Sequence, residues 1–164
     1  MKGADTVTFY SRKSPRIPNF DYSGDYYYFV TVCTHNRRCL FGEPECLNGW
    51  GQIARKQILQ IEDHYNNVKV DQYVVMPNHI HMILVIGCGV KAENNPDLQQ
   101  IMAQLKSGIS REIHKSGTEI TVWQRSFHDH VIRGQADYEK IWLYIQANPQ
   151  MWDKDCFYID TTLR

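Results

Sequence analysis

His79-Ile80-His81 carries more chemical content than any other tripeptide of this chain. Side chains of an extended segment alternate between two faces, so residues two apart project from the same side. On a strand, both imidazoles point one way, while Ile80, Met82 and Leu84 point the other way into a core. Paired imidazoles can fill two coordination positions of a metal ion. They can equally be two half-exposed histidines with no ligand, because an H-x-H spacing is short.

Three further sets bear on that choice. Tyr144 and Asn148, in Tyr144-Ile145-Gln146-Ala147-Asn148-Pro149, are four apart and share one face of a helix. A phenol and a neutral oxygen ligand can then serve one centre. The plainer alternative is a core tyrosine and an asparagine that stops the helix. The run Trp123-Gln124-Arg125-Ser126-Phe127-His128-Asp129-His130-Val131-Ile132-Arg133 repeats the histidine spacing at His128 and His130. No third ligand is evident beside that pair, so the run reads as structural or DNA-contacting, with Arg125 and Arg133 as its cations. Arg12, Lys13 and Arg16 lie near Tyr22, Tyr26, Tyr27 and Tyr28. Cations beside flat rings suit single-stranded nucleic acid, whose backbone follows charge while its bases stack. Tyrosines of an ordinary sheet would look the same.

These side chains need elements to hold them. Tyr26 to Thr34 is dense in aromatic and β-branched residues and predicts a strand. Leu47 to Tyr65 spaces Ile53, Ile58 and Ile61 as a helix does. Val68 to Val75 and His79 to Ile86 predict two strands joined by a turn at Met76-Pro77-Asn78. Asp97 to His114 predicts an amphipathic helix with Asp97 as its cap. Val122 to Ile132 predicts a last strand, and Asp137 to Ala147 a helix stopped at Asn148-Pro149. The order β-α-β-β-α-β-α predicts an α+β, ferredoxin-like (RRM-like) split βαβ sandwich. Its antiparallel sheet has helices on one face, and an added C-terminal helix carries Tyr144. Residues 1–25, with two prolines in a basic stretch, read as an extended arm. Residues 26–164 read as a single domain.

Composition narrows the function classes. A chain of 164 residues fits one domain with a true core. Its 18 Lys+Arg balance 18 Asp+Glu, which excludes coating nucleic acid by bulk charge but allows a local basic patch. No apolar run approaches the roughly 18 residues of a membrane span, and no secretion signal is visible. Five cysteines without a C-x-x-C pair read as reduced thiols, so the expected location is cytoplasmic.

Taken jointly, the motifs resemble a known family. Met76-Pro77-Asn78-His79-Ile80-His81-Met82-Ile83, then Trp123-Gln124-Arg125-Ser126-Phe127 and Tyr144-Ile145-x-x-Asn148-Pro149, are similar to the single-strand tyrosine HUH transposases. Within that group they resemble the REP-associated tyrosine transposases of bacteria, and the resemblance spans roughly Arg12 to Trp152. It implies Tyr144 as nucleophile, with His79, His81 and Asn148 as ligands of Mg²⁺ or Mn²⁺. Asn148 stands where transposases proper carry Gln, as it does in the REP-associated branch. The resemblance further implies hairpins in single-stranded DNA as partners, cleavage beside them through a 5′-phosphotyrosine, and a monomer or homodimer. Arg12, Lys13, Arg16, Arg125 and Arg133 are the expected DNA contacts.

Three rivals remain from the residues alone. The same fold can grip DNA or RNA hairpins without cutting. A nucleotide hydrolase of the H-x-H-x-H type lacks its third histidine here, since position 83 is Ile. A zinc site of His79, His81 and Cys88 would have to cross a strand and a turn.

Overall fold

In a computed structural model, residues 16–87 and 96–160 are described. Arg12, Lys13 and Cys88 lie outside the described residues. The sheet has four strands: β1 (Tyr27–Cys33), β4 (Val68–Met76), β5 (His79–Ile86) and β6 (His128–Val131). A small two-stranded sheet pairs β2 (Gly42–Glu43) with β3 (Cys46–Leu47). The helices are α1 (Gly49–Leu59), α2 (Ile61–His64), α3 (Leu98–His114) and α4 (Gln135–Ala147), and a 3₁₀ stretch runs over Asn148–Lys154. The main sheet has the order β4-β5-β1-β6, with every pairing antiparallel.

β5 is buried along its whole length because both of its faces are covered. Ile80, Met82, Leu84 and Ile86 pack with Ala54 and Ile58 of α1 and with Ile101, Met102, Leu105, Ile109 and Ile113 of α3. Ile83 packs the other way, against Phe29 of β1 and Ile141 and Ile145 of α4. By alternation His79 and His81 share this second face. α3 is fixed at its start by a capping box: the Asp97 carboxylate accepts from Gln100 N, and Gln100 Oε1 accepts from Asp97 N.

Four expectations are corrected by packing. The helix expected over 47–65 divides at Gln60 into α1 and α2, with Ile58 and Ile61 both buried. The strand expected over 122–132 is reduced to β6. Before it, Ser126 has a left-handed φ of 70°, and Trp123 makes only an isolated bridge to Thr34. The Lys106 ammonium donates to the Gln124 and Ser126 carbonyls at 2.8 and 2.9 Å, binding that stretch to α3. Part of the expected arm is packed: within residues 16–25, Ile17 and Phe20 lie against the core and Tyr22 is buried in it, while Pro18, Asn19, Asp21 and Asp25 are exposed. Tyr28 is wholly buried, so of the four tyrosines read as a stacking surface only Tyr26 and Tyr27 are exposed.

Candidate metal and tyrosine site

The site forms where α4 and the segment after it cross the second face of β5. Each histidine is set by the ladder: His79 lies opposite Cys33 and Met76, and His81 opposite Thr31 and Val74. Their rings are 4.4 Å apart between centroids, and their exposures are 0% and 1%. α4 brings Tyr144 to His81, with the phenol oxygen 3.3 Å from His81 Nε2. Phe29 lies under both rings, 5.2 Å from His81 and 6.1 Å from Tyr144. Trp152 and Phe157 stand over His79, with centroids 5.9 and 4.6 Å away.

Each histidine is held through Nδ1. His81 Nδ1 meets Thr31 Oγ1 at 2.8 Å, and His79 Nδ1 meets Asn78 Oδ1 at 2.9 Å. That leaves both Nε2 atoms facing the interior of the site. A metal-binding imidazole is ordinarily supported in this way through its other nitrogen. Burial lowers the pKa of His79 to about 4, against the opposing pull of Asp155. Burial, and then the neighbouring charge of His79, lowers that of His81 well below its usual value. Both rings are therefore neutral near pH 7 and need not release a proton to bind a cation. Burial first, and the charge of Asp155 second, raises the pKa of the Tyr144 phenol, so it keeps its proton.

Asp155 is the group that sequence reasoning missed. His79, His81 and Asp155 each offer a ligand atom, and these atoms lie within 4.8 Å of one another. Asn148, the expected third ligand, is buried beside them, and its Nδ2 donates to Asp155 Oδ2 at 2.6 Å. The donor set fits a cation on an observation independent of any resemblance. Among the described residues, neither His79 Nε2 nor Asn148 Oδ1, both buried, has a hydrogen-bond partner in good geometry, and the 3.9 Å from His79 Nε2 to Asp155 is too long for one. Orphaned buried electron pairs are rare, and a bound ion would satisfy them. Asp155 had no local signal, since it falls in an aperiodic tail beside a second aspartate, Asp153.

The remaining expected residues sit elsewhere. His130 Nε2 is 2.8 Å from Asp137 Oδ2, and His128 is exposed. Arg125 and Arg133 are exposed. Arg16 is held by Asp129 at 2.6 Å, with its guanidinium 3.8 Å from the centre of the Phe127 ring. Its charge is thus already opposed by a buried carboxylate. Among the described residues, no helix is long and apolar enough to cross a membrane.

A family model described as IS200-like transposase matches residues 22–148. An uncharacterised protein of Haemophilus influenzae is 32% identical over 169 residues, covering 91% of this chain and 94% of its own length. A REP-associated tyrosine transposase of Escherichia coli K12 is 27% identical over 122 residues. That match covers 74% of this chain and 65% of the length of the relative. The solved structure of a REP-associated tyrosine transposase bound to a REP hairpin superposes with a TM-score of 0.62 at 25% identity. It covers 88% of this chain and 73% of the other.

Proposed function

The chain belongs to the IS200-like transposase family, and from that premise we propose that it cuts and rejoins single-stranded DNA beside hairpins, with Tyr144 as nucleophile. One distance supports this most: the Tyr144 oxygen lies 3.3 Å from His81 Nε2, beside two buried, neutral imidazoles. The relative solved with a REP hairpin makes hairpins of that kind the first substrates to try.

His79 and His81 would hold a divalent cation, Mg²⁺ or Mn²⁺, with Asp155 or Asn148 completing the set, and such an ion would neutralise charge on the non-bridging oxygens of a bound phosphate. Imidazole donors suit Mn²⁺ better than Mg²⁺, which prefers oxygen. The Tyr144 oxygen attacks phosphorus, forming a phosphotyrosine at the 5′ end as the bond to the 3′ oxygen breaks. The proton lost by the phenol is balanced by the one the departing 3′ oxygen takes up. Reversal of this step by a free 3′-OH rejoins strands without an external energy source. Because burial holds the phenol protonated, the proton must leave as the new bond forms. Arg125 and Arg133, with Arg12 and Lys13, are proposed to contact DNA phosphates.

A second reading, gripping hairpins without cutting, draws support from the burial of both histidines. A denaturing gel separates the two, using end-labelled hairpin DNA with Mn²⁺, Mg²⁺ or EDTA. We expect a metal-dependent covalent adduct that Tyr144→Phe abolishes while hairpin binding persists. Tight binding with no adduct or cleavage in any metal would establish the gripping reading instead. Loss of binding in the folded Tyr144→Phe protein would sink the nucleophile assignment.

A further inference from the structure

Asn78 reads from sequence as a turn former, yet its exposure is 0%. Its backbone carbonyl accepts from Thr34 N at 2.9 Å. Its Nδ2 donates to two backbone carbonyls, Arg37 O at 3.1 Å and Phe157 O at 2.8 Å. Carbonyls only accept, so these two partners determine which end of the amide is nitrogen. The other end, Oδ1, lies 2.9 Å from His79 Nδ1 and can only accept. Nδ1 must then carry the proton. A neutral imidazole has one N–H, so the Nε2 of His79 is left with its lone pair.

The contrast with His81 is informative. Its Nδ1 faces the Thr31 hydroxyl, which can donate or accept and so dictates nothing. Asn78 does dictate, and three separate pieces of chain converge to make it do so. The turn after β1 presents the Arg37 carbonyl through two consecutive left-handed residues, Asn36 (φ 54°) and Arg37 (φ 53°). Backbone strain of this kind persists only where the surrounding structure holds it. The tail presents the Phe157 carbonyl, and the β4–β5 turn presents Asn78 itself.

We propose that Asn78 is a positioning residue, whose amide locks His79 in the Nδ1–H tautomer and aims the Nε2 lone pair at the space shared with His81, Asp155 and Asn148. The use of that lone pair rests on the metal reading above; the tautomer does not. Loss of a supporting hydrogen bond to a metal-binding histidine typically weakens metal affinity by about 10–100-fold.

The test is long-range ¹⁵N–¹H NMR on the histidine rings of the full chain in EDTA, paired with Mn²⁺ titration calorimetry. In the wild type, His79 is expected to show a protonated Nδ1 and an unprotonated Nε2. Asn78→Ala should mix the tautomers of His79 and weaken Mn²⁺ binding by about 10–100-fold. Asn78→Asp keeps an acceptor for Nδ1–H while giving up both donations to the Arg37 and Phe157 carbonyls. In the folded variant His79 should therefore keep a protonated Nδ1, which a residue needed only for the turn would not ensure. A wild-type His79 protonated on Nε2 overturns the proposal even if neither variant folds. So does a folded Asn78→Ala with wild-type tautomer and affinity. The expected tautomer without any Mn²⁺ binding would uphold the role of Asn78 and count against the metal reading alone.

Discussion

Two histidine pairs with the same spacing flank one strand of this protein, and only one of them is built into a site. Thr31 of β1 lies opposite His81 on one side and His128 on the other, so the pairs share a rung of the sheet. His79 and His81 are on an inner strand, covered by α4 and the tail. His128 and His130 are on β6, the edge strand, where His128 is exposed and His130 is held by Asp137. Spacing alone does not gather other polar groups around a histidine pair. What differs is the supply of converging groups: Thr31, Asn78, Tyr144, Asn148 and Asp155 meet the first pair, and an acidic helix start meets the second.

The largest effect that would sharpen this contrast is on metal binding. His79→Ala or His81→Ala should weaken Mn²⁺ binding by more than about 100-fold, beyond what loss of a supporting hydrogen bond does. Mn²⁺ at about 100 times its Kd should stabilise the wild type by about 2.7 kcal/mol, and thermal unfolding should show this gain retained in His128→Ala and lost in His81→Ala. Equal loss in both variants would break the comparison.

Next in size is a dependence on pH in EDTA. Burial lowers the pKa of His79 from 6.5 to about 4 in the folded protein. Between those values the unfolded chain binds more protons than the folded one, so stability falls as pH falls through that window. The contribution is fully present above about pH 6.5. Urea unfolding should show a midpoint that drops across this range, and His79→Gln should flatten the slope. An unchanged slope in the variant would mean that this ring is not buried neutral.

The smallest effect concerns the surface near the second pair. If Arg125 and Arg133 contact phosphates, each alanine variant should reduce the slope of log affinity against log salt by about 0.7 on single-stranded DNA. The folded stability should stay within about 0.5 kcal/mol of the wild type. An unaltered salt slope would remove that arginine from the interface.

Much of this architecture was legible locally. The β5 alternation, the turn at Pro77-Asn78 and the Asp97 cap follow from neighbours in sequence, and the order of elements led to the split βαβ sandwich. The break before β6 was not, because a lysine from α3 captures the carbonyls that a strand would have used. Nor was the packing of Ile17, Phe20 and Tyr22, since Tyr22 reaches across to Asp129 at 3.0 Å, a partner far along the chain. Asp155 had no periodicity to mark it, and Asn78 looked like any turn residue.

That His79 and His81 leave one face of a strand together, and that Tyr144 and Asn148 share a helical side, follows from residue order alone. Backbone geometry at that range is local and repeats every two or 3.6 residues. That the helical pair meets the strand pair depends on packing between segments far apart in the chain. The order β4-β5-β1-β6 put one histidine pair inside the sheet and the other at its edge. The return of the tail then brought Asp155 and the Phe157 carbonyl to the inner pair, through contacts that no local pattern encodes.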